Sequence, residues 1–132
     1  MILTAKPDIQ KVKSILDLIT EREDFVSTID VEKFSTNAVE NYYEIIKELA
    51  SALLLLYGLK ATGENAHRDL IDYLIHYDFS TGEIVFMNDL RIKRNNSFYE
   101  GKKVDPTYLR NNKDKILRLI EKLKGDIKKK LK

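Results

Sequence analysis

Apolar positions recur every three or four residues along most of the chain, which is the spacing of amphipathic helices. The first such stretch follows Asp8, a residue type that caps helix N-termini, and its apolar positions are Val12, Ile15, Leu16 and Ile19. We therefore predict a first helix that begins near Asp8. Residues 21–34 also contain apolar side chains, but these follow no regular period. For that region we expect a connection with at most a short helical turn.

The second predicted helix is the most apolar one. Asn37 is its expected N-cap, and Glu40, three residues later, would complete a capping box. One face carries Tyr42, Tyr43, Ile45, Ile46, Leu49 and Ala50, and from Leu53 to Tyr57 every position is apolar. A helix that is apolar on every side is buried on every side, either at the centre of a bundle or against a second subunit. Gly58 is the expected stop.

The third predicted helix covers roughly residues 65–77. Its apolar stripe consists of Leu70, Ile71, Leu74 and Tyr77. The run Ser80-Thr81-Gly82 then breaks the pattern. The third helix thus joins the first two in an antiparallel arrangement with short connections.

The segment after residue 82 opens with Ile-Val-Phe-Met at 84–87, a run that could form a strand. A helix is favoured because Met87, Leu90 and Phe98 share one helical stripe, with Arg94 between the last two. Gly101 is its expected end. The last helix follows Asp105-Pro106, an N-cap with proline at the first helical position. Together these patterns predict an all-α fold, an up-and-down antiparallel bundle of four to five helices.

Composition limits what such a bundle can be. The chain has 132 residues, of which 43% are hydrophobic and 33% charged, and it contains no cysteine. This length predicts a single domain over residues 1–132, and the lack of cysteine excludes disulfides and thiol chemistry. We see no signal peptide, and the longest apolar run is far too short to span a bilayer. We therefore expect a cytoplasmic protein with no membrane contact, no cofactor and no metal.

Charge is distributed unevenly. Residues 1–90 carry 8 Lys/Arg and 16 Asp/Glu, a net charge of −8, whereas residues 91–132 carry 15 and 5, a net charge of +10. The overall value of +2 hides this asymmetry. It is compatible with a solvated lysine-rich face, and equally with a basic surface for an anionic partner.

Few residues offer recognisable chemistry. Glycine-rich phosphate loops are absent, as is any recognisable Ser/His/Asp arrangement. His67 extends the apolar stripe of the third helix and is interpreted as a half-buried packing residue, whereas His76 falls on the polar side and is expected to be exposed. Neither histidine lies at metal-ligand spacing from a pair of carboxylates.

The candidate site lies in the fourth helix, at residues 91–101. Arg94 is predicted to face inward, where a guanidinium needs a carboxylate, a phosphate or carbonyl groups as a partner. Asn95 and Tyr99 are four residues apart and share a face, and Arg91 precedes Asn95 by one turn. Two interpretations remain open: an internal polar network that ties two helices together, or an anion-binding site with Arg91, Arg94, Asn95 and Tyr99 as binding residues.

The order Arg94-Asn95-x-x-x-Tyr99, after the run Ala-Leu-Leu-Leu-Leu-Tyr-Gly at 52–58 and Ala-His-Arg-Asp-Leu-Ile at 66–71, resembles HEPN domains over roughly residues 40–123. These are small helical bundles, often homodimeric. They occur as ribonuclease toxins of toxin–antitoxin pairs, as companions of minimal nucleotidyltransferases and as non-catalytic modules. The resemblance implies a homodimer and RNA, a nucleotide or a nucleotidyltransferase protein as partner.

Catalytic members of that family carry a histidine four to six residues after the arginine. Here Arg94 and Asn95 match the start of the motif, and Tyr99 stands at the histidine position. A tyrosine hydroxyl, with an ordinary pKa of about 10, is a poor general base at neutral pH. We therefore expect a non-catalytic domain that dimerises and binds an anionic partner. The alternatives are a metal-independent ribonuclease that uses Arg94 and Tyr99, and an interaction module that binds no nucleic acid.

Overall fold

The computed structural model describes all residues from 1 to 132 and confirms the all-α helical bundle. Five α-helices, a 3₁₀ turn and two short strands follow one another in the order β1 (Ile2–Thr4), α1 (Ile9–Ser27), α2 (Ser35–Leu56), β2 (Leu59–Ala61), α3 (Ala66–Tyr73), the 3₁₀ turn (Leu74–Tyr77), α4 (Thr81–Glu100) and α5 (Pro106–Leu131). None of these helices combines the length and the apolar character that crossing a bilayer requires.

Helix α2 lies at the centre of the bundle, as its all-round apolar character predicts. It packs against α1, α3, α4 and α5, and 12 of its 22 residues are buried. The buried set includes Tyr43, Ile45, Ile46 and Leu49, all of them without exposed surface. The neighbours within one chain are thus enough to bury this helix, and its apolar character alone does not require a second subunit.

The prediction of a connection over residues 21–34 was wrong for its first part. Helix α1 continues to Ser27, because Val26 repeats the buried positions Val12 and Ile19 at intervals of seven residues. The exposed Phe25, next to Val26, obscured this period in the sequence. Asp8 caps α1 as expected, since its side chain accepts a hydrogen bond from the backbone amide of Lys11 at 3.0 Å.

The predicted capping box at the start of α2 was also wrong. The helix begins at Ser35, two residues before Asn37. Ser35 donates its hydroxyl to the carbonyl of Val104, and the Val104 amide donates to the Thr36 hydroxyl at 2.9 Å. Contacts with the α4–α5 loop, distant in sequence, therefore anchor this helix start.

Glu40, the other residue of that predicted capping box, has a tertiary role. Its carboxylate accepts a hydrogen bond from the Ser97 hydroxyl at 2.8 Å, which links α2 to α4. Ser97 therefore lies on the face of α4 that contacts α2. Phe98 itself is 56% exposed, so its predicted place on the buried stripe with Met87 and Leu90 was wrong.

Local signals set both ends of α4. The Ser80 hydroxyl accepts from the Glu83 amide at 3.1 Å while the Glu83 carboxylate accepts from the Ser80 amide at 2.8 Å, which is a complete capping box. The helix ends at Gly101, whose φ of +67° lies in the left-handed region that favours glycine. Residues 84–87 are therefore helical, as predicted. Helix α5 starts at Pro106 with Asp105 as its N-cap, also as predicted.

The two strands were not predicted. Ile2 pairs with Ala61 and Thr4 with Leu59 in an antiparallel ladder. Three-residue strands are too short to show an alternating pattern. Gly58, with a φ of +73°, turns the chain from α2 into β2, and its carbonyl accepts from the Ala5 amide at 2.8 Å.

Candidate anion-binding site

A polar cleft of about 390 Å³ lies between α4 and the start of α3. One wall consists of the four residues that the sequence singled out, Arg91, Arg94, Asn95 and Tyr99. They share a wall because residues three and four apart lie on one helix face. The opposite wall comes from the turn before α3 and from its first residues, including His67 and Arg68.

Arg94 is half-buried and has no ion-pair partner. Its guanidinium carbon lies 4.0 Å from the ring centroid of Phe98 and 5.7 Å from that of Tyr43. Its one hydrogen bond to a protein group goes from Nη1 to the Asn95 side-chain oxygen, at 3.3 Å. Two aromatic faces therefore hold the charged group, which keeps most of its N–H donors available.

Arg91 is tied to α3 through an amide bridge. Its Nε donates to the Asn88 side-chain oxygen at 3.0 Å, and the Asn88 amide nitrogen donates to Asp72 at 2.7 Å. The carboxylate of Asp72 also faces Arg68, whose Nε lies 3.8 Å away. Arg91 thus has a fixed position without a carboxylate of its own.

Arg91 and Arg94 have no carboxylate partner, unlike three of the other four arginines of the chain. Of six arginines in the sequence, Arg22, Arg68 and Arg110 pair with carboxylates. Arg118 is unpaired but lies exposed on α5, away from the cleft. The cleft is therefore the one place where two unpaired guanidinium groups line the same cavity.

Tyr99 stands at the outer end of this wall. Its side chain is 76% exposed and its hydroxyl makes no hydrogen bond to another protein group. Asn95 lies one turn further in, where its side-chain oxygen is engaged by Arg94. The amide nitrogen of Asn95 remains a donor that points to no protein acceptor. The structure brings all four predicted site residues together, with the arginines at the inner part of the cleft.

His67 is a member of the cleft that the sequence analysis missed. It was interpreted as a half-buried packing residue, but it is exposed through the open cleft and faces the ring of Tyr43 at a centroid distance of 6.4 Å. Partial burial lowers the pKa of its imidazole, and the charges of Lys47 and Arg94 lower it further. No local sequence signal marks this role, because only the packing of α3 against α4 creates the cleft. His76 is exposed, as predicted.

Tyr43 lies beneath the two walls. Its side chain is fully buried and its hydroxyl has no hydrogen-bond partner. Burial raises the pKa of Tyr43 to about 12, although the charges of Arg91 and Arg94 oppose the rise. A buried hydroxyl without a partner is unfavourable, so the area under the cleft is not optimised for stability alone.

No three histidine, aspartate or glutamate side chains come together in a way that could hold a metal ion. Protein-family models, curated proteins and solved structures offer no match to this chain.

Proposed function

We propose that this chain is a HEPN-like helical domain that binds phosphate groups of RNA or of a nucleotide in the cleft, without catalysis, and that it forms a homodimer. The observation that carries the proposal is the pair of unpaired guanidinium groups, Arg91 and Arg94, in one polar cavity. A partly desolvated arginine without a carboxylate is costly, and a phosphate oxygen would supply the missing acceptor. Asn95 and Tyr99 add donors at the same wall.

The binding test compares two arginine variants. Arg94→Ala is expected to weaken binding of a single-stranded oligoribonucleotide by about 1.5–3 kcal/mol, the worth of a hydrogen bond between charged groups. Arg118→Ala is the matched control, because Arg118 is also unpaired but lies outside the cleft. Both variants should unfold close to the wild-type urea midpoint. Equal losses of affinity in both variants would contradict a specific site.

Salt dependence separates this proposal from an interaction module that binds no nucleic acid. Phosphate contacts release counterions, so the affinity for RNA should fall steeply as salt rises. A chain that binds no RNA at low salt would favour a protein partner instead. The resemblance implies that such a partner would be a nucleotidyltransferase, and co-purification of the two proteins would test this.

The second candidate function is RNA cleavage by Arg94 and Tyr99. It is favoured only by their position on one wall, since the Tyr99 side chain is highly exposed and its hydroxyl forms no hydrogen bond with another protein group. Incubation of end-labelled RNA with the pure protein in EDTA decides between the two candidates. Cleavage that disappears in Tyr99→Phe would replace the binding proposal, whereas intact RNA with wild-type protein supports it.

The homodimer is proposed through α4. Val85, Ile92 and Tyr99 recur at intervals of seven on one face of this helix and are 63%, 47% and 76% exposed. Exposed apolar side chains on one helix face form a surface that a second copy of the chain could cover. Light scattering at micromolar concentration should give twice the chain mass of 15.4 kDa, and Ile92→Glu should return it to the single-chain mass. A single-chain mass for wild type would refute the dimer.

A further inference from the structure

The cleft contains one group whose charge can change near neutral pH. His67 stands on the wall opposite Arg94, and no protein group forms a hydrogen bond with its imidazole. Its contacts are with the ring of Tyr43 below. Both ring nitrogens are therefore available to a ligand that enters between the walls.

The charged groups around His67 come from each element packed near it. Helix α2 contributes Glu44 and Lys47, which form an ion pair at 2.7 Å and largely neutralise each other. Helix α4 contributes Arg91 and Arg94, which have no carboxylate partner. The remaining charged groups of the cleft, Glu64 before α3 and Arg68 on α3, have opposite signs.

The balance at the imidazole is therefore positive, and it opposes protonation while the cleft is empty. A bound phosphate would reverse that balance, since its negative charge would offset the two guanidinium groups and would itself accept a hydrogen bond from a protonated imidazole. Histidine is the side chain that can respond in this way near neutral pH.

We infer that His67 is a third cationic ligand of the phosphodiester held by Arg91 and Arg94, and that it takes up one proton when the phosphodiester binds. This inference rests on the proposed function and adds a residue from α3 to it. The chemical class of the ligand is an internal nucleic-acid phosphodiester, which keeps one negative charge throughout the relevant pH range. Any proton that is taken up on binding is therefore taken up by the protein and not by the RNA.

The sign of the pH dependence follows from this. The pKa of free His67 is lowered, and bound phosphate raises it. The affinity for RNA is highest below the pKa of His67 in the free protein, where His67 is already protonated. It falls as pH rises and becomes constant again above the pKa of His67 in the complex. Between about pH 5.5 and pH 8 we expect a loss of about tenfold, the worth of one charge-assisted hydrogen bond.

The test uses a single-stranded oligoribonucleotide with hydroxyl groups at both ends, at constant ionic strength, over that pH range. The chain has two histidines, so His67→Gln can be compared with His76→Gln as a matched control, because His76 is exposed beside Tyr73 outside the cleft. Wild type and His76→Gln should lose about tenfold in affinity as pH rises. His67→Gln should bind with nearly constant affinity, equal to that of wild type near pH 8.

A second measurement needs no substitution. Proton NMR of the wild-type imidazoles, with and without the oligoribonucleotide, should show a rise in the pKa of His67 alone. A wild-type affinity that does not change with pH, or a pH dependence that persists in His67→Gln, would overturn the inference and leave the phosphate site intact. Absence of binding at every pH would instead remove the proposed function, and this inference with it.

Discussion

The hydroxyl of Tyr43 allows a sharp test of the packing under the cleft. The tyrosine is fully buried, and its hydroxyl is the one buried side-chain polar atom without a hydrogen-bond partner. Tyr43→Phe removes this hydroxyl and retains the ring that contacts Arg94 and His67. The substitution therefore changes one polar atom and leaves the shape of the core almost unchanged.

The magnitude follows from the cost of an unpaired buried group. Such a group costs about 1–3 kcal/mol relative to a satisfied one. Part of this cost returns when the hydroxyl is removed, and we expect Tyr43→Phe to raise the free energy of unfolding by about 1 kcal/mol. For a chain of this length that corresponds to a rise in Tm of about 3–5 °C.

Urea unfolding followed by far-UV circular dichroism is the suitable assay, because the chain has no tryptophan. Tyr108→Phe is the contrasting control. The Tyr108 hydroxyl donates a hydrogen bond to Asp89 at 3.1 Å, so its removal should lower stability by about 1 kcal/mol. The two tyrosine variants should thus shift in opposite directions.

A loss of stability of about 1 kcal/mol or more in Tyr43→Phe would refute this reasoning, since it would mean that the hydroxyl has a partner in the folded protein, such as an ordered water. The RNA affinity of Tyr43→Phe is an independent measurement on the same variant. Because the hydroxyl is buried beneath the cleft, the affinity should not change.

Two further predictions concern α4. Burial acts to raise the pKa of the Glu83 carboxyl, but hydrogen bonds from the Ser80 amide and Lys122 lower it overall. The ionised Glu83 carboxylate therefore stabilises the fold above the unfolded pKa of about 4.3, and this stabilisation is lost as pH falls through the folded pKa. Glu83→Gln should cost about 1 kcal/mol at neutral pH and nothing once the pH lies below the folded pKa of the Glu83 carboxyl, as measured by urea unfolding at each pH. A difference that stays constant with pH would contradict the assignment. Gly101→Ala should lower stability by about 1 kcal/mol through backbone strain alone, since an added Cβ meets no atom within 4 Å; an unchanged thermal midpoint would show that the left-handed turn is not required.

Local chemistry made several elements predictable. Helix ends are marked by Asp8, Gly101 and the pair Asp105-Pro106. These residues act through hydrogen bonds or φ angles within a few residues, so the local sequence is enough to predict the helix ends. The apolar period of α2 likewise predicted its central position, because burial on all sides follows from apolar character on all sides. The start of α2 at Ser35 could not be predicted in this way, since it depends on hydrogen bonds to Val104.

The candidate site also has a part that depends on local sequence and a part that depends on tertiary packing. Arg91, Arg94, Asn95 and Tyr99 could be grouped from the sequence, because helical spacing alone places them on one wall. The sequence could not indicate whether Arg94 pairs with a carboxylate, and the structure leaves it between two aromatic rings, Phe98 and Tyr43.

What the sequence by itself determined is the class of the fold and one wall of the cleft, since both depend on periodicities within single helices. Only the tertiary structure decided that His67 stands opposite Arg94 and that Tyr43 lies beneath them. Those residues belong to α3 and α2, and their distances depend on how three helices pack. Such packing is the sum of many weak contacts between residues far apart in the chain, so it cannot be predicted from any short stretch of sequence.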